Sequence, residues 1–212
     1  MKKLTLALSA LALACSSAIS AAESISLPAP DKKGGKPLMQ ALTLRETNRN
    51  FTQTPISKQD TSNILYAAYG INRAKADKHT IPTAINMKNL VLYVTSKDGT
   101  FRYDPKANKL IQHSKKDLRE FAFMRKAMPL SSPMTLIYVA DITKGRDKDS
   151  TLLFSYAHAG SAYQNVYLYC ASRGLATVIC GGFDKNAMQK QLALDTKKYA
   201  VLFTQIIGFP KK

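Results

Sequence analysis

The sequence has no tryptophan, three cysteines and three histidines, and it is poor in acid, with 14 Asp and Glu against 31 Lys and Arg. Each shortage excludes something. His79, His113 and His158 stand far apart and show no His-Glu-x-x-His spacing, so a zinc hydrolase has no ligand set. No Gly-x-Ser-x-Gly elbow offers a serine nucleophile. Nor is there a glycine-rich phosphate loop of the Walker or dinucleotide type. Each histidine is therefore expected to be a surface or core residue. The acid deficit leaves a formal net charge of +17, which draws anions and phosphates to the surface. The basic residues are spread along the chain without a run of five like charges, and no base-stacking motif accompanies them. Nucleic acid is not an expected partner.

Long apolar runs are absent except at the start. Lys2 and Lys3 precede an almost wholly apolar stretch, Leu4 to Ala14, and small residues follow to Ser20-Ala21-Ala22. This is the pattern of a secretory signal peptide over 1–22, cleaved before Glu23. The stretch is too short to span a bilayer in the folded protein. The expectation is export to the periplasm without stable membrane insertion. Cys15 has the small neighbours of a lipidated cysteine, but Ala12 stands where that signal prefers Leu, so lipid anchoring is the less favoured alternative. No twin-Arg pair is present, so the chain is expected to cross unfolded and without cofactor.

Two cysteines remain, Cys170 near the end of an expected helix and Cys180 at the end of the next expected strand. From the turn at Gly174, four helical residues cover roughly 6 Å and six strand residues roughly 20 Å. A disulfide tolerates only ~7 Å between Cα atoms, so two buried free thiols are expected.

Residues 23–36, ending in Lys32-Lys33-Gly34-Gly35, read as an irregular lead-in, and 37–212 as one domain. The patterns predict a short helix over 38–44, opened by Pro37. Ser57 with Asp60 gives a capping-box-like start to a helix that Gly70 stops. Residues 71–81 read as a polar loop. Strands are predicted at 90–95 and 100–103, joined by Lys97-Asp98-Gly99 as a hairpin, and at 134–140, 175–180 and 199–207. Further helices are predicted at 115–124 and 185–194. The longest element runs from Leu153 through Tyr156, Gly160, Tyr163, Tyr167 and Cys170 at helical spacing, and Gly174 ends it. Helices and strands so mixed, with a long apolar helix, point to an α+β domain whose sheet packs on a buried central helix.

Three segments carry chemistry. Arg45-Glu46-Thr47-Asn48-Arg49-Asn50-Phe51 follows the first short helix. Guanidinium forks match phosphate oxygens and a hydroxyl adds a neutral donor. Pro82-Thr83-Ala84-Ile85-Asn86-Met87-Lys88-Asn89 is a small loop. Gln164-Asn165-Val166-Tyr167-Leu168 lies on the long helix, followed by Ser172-Arg173-Gly174-Leu175-Ala176-Thr177 and then Cys180-Gly181-Gly182-Phe183-Asp184. Their order resembles the nitroreductase family across residues 37–212.

The resemblance implies a nitroreductase-like fold with a mainly antiparallel sheet, flavin mononucleotide (FMN) as cofactor, and a homodimer with the flavin at the subunit interface. It implies that Arg45, Thr47 and Arg49 hold the flavin phosphate, helped by Lys211 or Lys212 after the Gly208-Phe209-Pro210 turn. It implies that Pro82, Thr83 and Asn86 line the polar edge of the ring, and that the backbone N–H at Gly182, with Gly181 beside it in the cofactor site, meets flavin N5. Three features depart from the family pattern: Glu46 for a basic residue or histidine, Lys88-Asn89 for Gln-Pro, and Gly181 for an acidic residue of one branch. The lead-in from Leu27-Pro28-Ala29-Pro30 to Gly34-Gly35 looks most like the branch that includes azoline (thiazole/oxazole) oxidases. The implied activity is hydride transfer through flavin N5 to a small conjugated acceptor, a nitroaromatic or a quinone. Nicotinamide donors are scarce outside the cytoplasm, so an electron-donor protein is left open as a partner. A non-catalytic periplasmic flavin- or phosphate-binding module is the alternative, and a basic surface-binding protein a third reading.

Overall fold

The computed structural model describes residues 23–211; the leader read at 1–22, with Cys15, and also Lys212 lie outside the described residues. In chain order the elements are β1 (Ser24–Ser26), α1 (Leu38–Leu44), β2 (Phe51–Thr52), α2 (Lys58–Tyr69), β3 (Ile71–Arg73), β4 (Lys78–His79), β5 (Leu90–Ser96), β6 (Gly99–Asp104), β7 (Lys109–Ser114), α3 (Ala127–Leu130), β8 (Met134–Asp141), α4 (Lys148–Arg173), β9 (Ala176–Cys180), α5 (Lys185–Gln191) and β10 (Tyr199–Pro210).

Side-chain alternation along β8 explains the layering. Leu136, Tyr138 and Ala140 point to a core shared with Ile64, Leu65 and Ala68 of α2 and Ala159, Ala162, Val166 and Cys170 of α4. Ile137 and Val139 point the other way, to Phe183, Met188 and Leu192 around α5. A strand buried on both faces reads as a near-continuous apolar run, and β8 does from Leu136 to Ala140. The strands form one antiparallel sheet in the order β1-β7-β6-β5-β8-β10-β2, with β9 also paired to β10, while β3 and β4 make a separate hairpin.

The fold is thus the expected α+β arrangement, with a mainly antiparallel sheet on a long central helix. That helix, α4, has 26 residues and is about 39 Å long at 1.5 Å per residue. Small side chains on its buried stripe let α2 and the sheet approach closely. Gly174 ends it in the left-handed region (φ 69°), where a Cβ would be strained. Ser57 caps α2 as expected, its hydroxyl oxygen accepting from the Asp60 N–H at 2.9 Å. Cys170 and Cys180 are free and buried.

Other expectations fail for identifiable reasons. Residues 115–124 form no α-helix; only Arg119–Phe121 makes a 3-10 turn. The segment is pinned instead by side chains. Thr95 Oγ1 accepts from the Leu118 N–H at 2.8 Å, and the buried Arg119 guanidinium pairs with Asp117 at 2.7 Å. Such bonds compete with a helix ladder. The apolar spacing of Leu118 and Ala122 serves the second core without helical backbone. The polar loop at 71–81 is the β3–β4 hairpin, its strands too short to show a period. The lead-in is not wholly irregular: β1 pairs with β7, and Pro28 O accepts from Ser62 Oγ on α2. The long helix begins at Lys148, ahead of Leu153, because Asp147 caps it by accepting from the Ser150 N–H at 2.9 Å. β10 runs on through Gly208-Phe209-Pro210, since β2 pairs with Phe209 and Pro210.

Candidate functional site

After α1 the chain runs as an extended strap, residues 45–50, across the C-terminal half of α4 and the outer edge of β9. One side of β9 is paired to β10, so its other side needs partners for its backbone groups. The strap and one tyrosine supply them. Thr177 O accepts from the Asn48 N–H at 3.1 Å. The Tyr167 hydroxyl accepts from the Ile179 N–H at 3.0 Å and lies 3.1 Å from Thr47 Oγ1. The Arg45 guanidinium stands over the Tyr167 ring, 5.5 Å from its centroid. The strap's end is fixed by the C-terminal strand: β2 pairs with β10, and Asn50 O accepts from the Lys211 N–H at 3.0 Å. Arg45, Thr47, Arg49 and Lys211 are thereby gathered along one edge.

From that edge β9 leads directly to Gly181 and Gly182. Burial pushes the Cys180 thiol up to about 11, against the opposing charge of Arg49. Burial also pushes the Cys170 thiol far up, so neither thiol supplies a nucleophilic thiolate at neutral pH. Gly181 and Gly182 are exposed, and neither amide N–H donates a hydrogen bond among the described residues. A Cβ added at Gly182 would find nothing nearer than the Phe123 ring at 3.9 Å. Two unspent donors at an open surface fit a flat ring that brings an acceptor nitrogen close to backbone. Phe183 is buried, and Asp184 caps α5 by accepting from the Ala187 N–H at 2.9 Å.

The Pro82–Asn86 loop sits elsewhere on α4. Its Ala84 N–H donates to His158 Nε2 at 2.8 Å, about two and a half turns before Tyr167. Nine residues of helix separate those two anchors by about 13 Å. No hydrogen bond or ion pair joins this loop to the strap or to Gly182 among the described residues. Of the residues singled out in the sequence, the structure lines up Arg45, Thr47, Arg49 and Lys211 along the strap, and β9, to which the strap bonds, runs on into Gly181 and Gly182. It leaves Pro82, Thr83 and Asn86 apart from them within one chain.

The loop is strained and tightly held. Ile85, Asn86 and Lys88 all have left-handed backbone, at φ 44°, 58° and 47°, each costing roughly 1–3 kcal/mol for a residue with a Cβ. His158 Nδ1 donates to Asn89 Oδ1 at 2.9 Å, and Asn89 Nδ2 donates to Ser155 Oγ at 2.7 Å. Nε2 is left as the acceptor for Ala84, so the bonding fixes one neutral tautomer. Burial lowers the His158 pKa and keeps it neutral.

Three participants escaped the sequence reading. His158 looked like an isolated core histidine, and Tyr167 like one more apolar position on a helix face. Lys185 opens α5, and its Nζ donates to the Tyr156 hydroxyl at 3.1 Å, 5.8 Å from the Phe203 ring centroid. That ring is also the nearest neighbour, at 3.6 Å, of a Cβ added at Gly181. A cation and a phenol therefore flank the glycine pair. The only sequence signal was the position of Lys185, three residues past Gly182. Among the described residues no group of three or more His, Cys, Asp or Glu could hold a metal ion, and no helix is long and apolar enough to cross a membrane.

Comparison with known proteins adds independent findings. The model of the nitroreductase family matches residues 42–209. A protein named as a nitroreductase from Methanocaldococcus jannaschii is 27% identical over 180 residues, 80% of this chain and 89% of the relative. A structure from Ralstonia eutropha, described in the same terms, superposes with a TM-score of 0.82 at 31% identity, covering 89% of this chain and 90% of that one. Two more distant structures share the fold. One, from Desulfovibrio desulfuricans, is a complex with FMN (TM-score 0.62, 19% identity, 84% of this chain and 89% of that one). The other is the Escherichia coli microcin synthetase complex McbBCD (TM-score 0.69, 16% identity, 98% and 85%).

Proposed function

Because the chain belongs to the nitroreductase family, we propose that it is an FMN-dependent oxidoreductase acting on a small conjugated acceptor, a nitroaromatic or a quinone. The observation that carries this reading is the strap of Arg45, Thr47 and Arg49, tied to Lys211 and to β9, with β9 running on to the unspent amides of Gly181 and Gly182. The first four residues offer charge-assisted donors to a phosphate. The two amides offer donors to the ring's reactive edge. When bound, FMN supplies the hydride chemistry at N5.

The protein's own part is to bind, orient and charge the site. Arg45 is braced on Tyr167, so its guanidinium is preorganised for phosphate rather than free in solvent. The Gly181 and Gly182 amides would hold the ring by donating to its edge. The Lys185 ammonium, held at Tyr156, places a positive charge and a phenolic proton beside that edge. Departures at Glu46 and Gly181 leave this donor set intact.

The separation of the Pro82–Asn86 loop from the glycine pair favours a homodimer in which a second copy supplies the loop to the ring. Leu38, Met39, Leu42 and Leu44 on α1 and Leu153 and Phe154 at the start of α4 are exposed apolar residues that such a dimer would cover. Residues 1–22 support export to the periplasm, with flavin acquired after translocation and an electron-donor protein as reductant. The lead-in from Leu27 to Gly35 supports a relation to the azoline-oxidase branch.

The test is to purify the mature chain with FMN and record its visible spectrum, then reduce it and add nitroaromatic or quinone. Bound flavin that bleaches and recovers is expected. No flavin uptake at micromolar concentration refutes the assignment, and bound flavin that never cycles supports the non-catalytic module instead.

A further inference from the structure

On the α2 side of the sheet, at the end where β8 starts, the core leaves an apolar cavity of about 200 Å³. Val94, Phe101, Leu110 and Met134, all buried, form its floor on β5 to β8, and Leu27 of the lead-in and Ile56 before α2 close its sides. We infer that this cavity binds a small amphiphilic carboxylate, its short alkyl chain among those side chains and its anionic head at Lys58, Thr61, Lys97 and Arg119. The site is separate from the flavin edge. Its walls lie on β5, β6, β7 and the start of β8, whereas the strap follows β9 on the far side of β10. No residue of its lining is among those assigned to the flavin, so the inference does not rest on the flavin reading.

The polar part of the lining is rich in unspent donors. Thr61 is only 9% exposed, and its hydroxyl makes no hydrogen bond among the described residues. A buried hydroxyl without a partner is costly, and this one borders space that a ligand's acceptor can enter. Lys58 stands one turn earlier on the same face of α2. Arg119, 6% exposed, donates from Nε and Nη2 to Asp117 at 3.0 and 2.7 Å and from Nη1 to Ser132 O, which leaves one hydrogen on each terminal nitrogen. Lys58 and Lys97 are exposed and make no ion pair among the described residues. Asp98 is the one carboxylate of the lining, against those three cations. Apolar walls exclude a fully hydrated ion, and a cationic rim of donors selects a head that only accepts. Together they fit an amphiphile with one negative charge.

Size sets the length of the tail. An apolar cavity of roughly 150 Å³ stays dry and takes up benzene, so about 200 Å³ holds a short alkyl chain. It falls short of the roughly 300 Å³ or more of a site for a drug-sized molecule. Water against Val94, Phe101, Leu110 and Met134 has few partners. Methylene groups in its place remove apolar wall from water without loss of a hydrogen bond.

The test is residue-resolved NMR of the mature chain titrated with hexanoate, with acetate and hexanol as controls, in the presence and absence of FMN. Saturable shifts at Thr61, Val94 and Phe101 with hexanoate are expected, with weaker binding of hexanol, none of acetate and no competition by FMN. Thr61→Val keeps the shape and removes the donor. It is expected to weaken hexanoate binding by about tenfold and to leave Tm unchanged or raised, since the hydroxyl bonds to nothing in the free protein. Lys97→Glu, an exposed change on the β5–β6 turn, is expected to weaken it by about fivefold whether or not the Thr61 variant folds. Absence of saturable shifts, competition by FMN, hexanol as tight as hexanoate, or affinity that neither variant lowers would overturn the proposal. So would shifts at Thr61 and Phe101 that follow protein concentration rather than hexanoate, since a second copy would then cover the cavity.

Discussion

Replacing His158 by Leu separates the loop's support from its chemistry. Leucine keeps the volume roughly constant, so cavity effects stay small. What is lost is the acceptor for the Ala84 N–H and the donor to Asn89 Oδ1, and Asn89 is only 1% exposed. Unpartnered buried groups cost about 1–3 kcal/mol each, so the variant should lose about 2–4 kcal/mol. That is a fall in Tm of about 5–15 °C for a domain of this size. The strain at Ile85, Asn86 and Lys88 would then relax by loosening the loop, and FMN affinity should fall with it. His158→Gln adds the pH test. The wild-type bond to Ala84 needs an unprotonated Nε2, and burial lowers the folded-state pKa. A lowered value means that the contribution is complete above the unfolded pKa of about 6.5 and is lost as pH falls through the lower, folded value. Thermal melts and FMN titrations from neutral to acid pH should show that limb in the wild type and lack it in His158→Gln. An unchanged Tm in His158→Leu, or the same acid limb in both proteins, refutes the reasoning.

Other outcomes follow from the same geometry. Gly182→Ala should leave thermal stability within about 0.5 kcal/mol, because its Cβ meets nothing closer than 3.9 Å, yet weaken FMN binding measured by fluorescence. Equal binding would deny the close approach. Tyr167→Phe removes the hydroxyl shared by Ile179 N–H and Thr47; a loss of about 1–3 kcal/mol in denaturant melts and weaker FMN binding are expected. Leu42→Glu on the exposed face of α1 should shift the sedimenting species towards monomer and lower FMN affinity, while a dimer that tolerates it would place the interface elsewhere.

What was readable in the sequence was local. The Ser57 cap and the Gly174 stop are each decided by residues a few positions apart, and the structure has them as expected. Contacts across the fold were not readable. Tyr167 serves β9 and the strap only because α4 passes beneath both, and no periodicity separates its hydroxyl from an ordinary apolar position. His158 became a support for the Pro82 loop through Asn89, 69 positions away in sequence. The helix wrongly expected at 115–124 shows the converse: its spacing was right for burial, but Thr95 and Asp117 outbid the backbone ladder.

β10 joins β8, β9 and β2, and the ribosome makes it after all three. Until it emerges, β8 has an open flank, β9 lacks the partner that defines it, and the strap has nothing to tie down its far end. Half of the sheet is therefore deferred to the closing stretch of synthesis. In a chain built this way the strap along β9 and the edge it makes with Lys211 are among the last features to take shape.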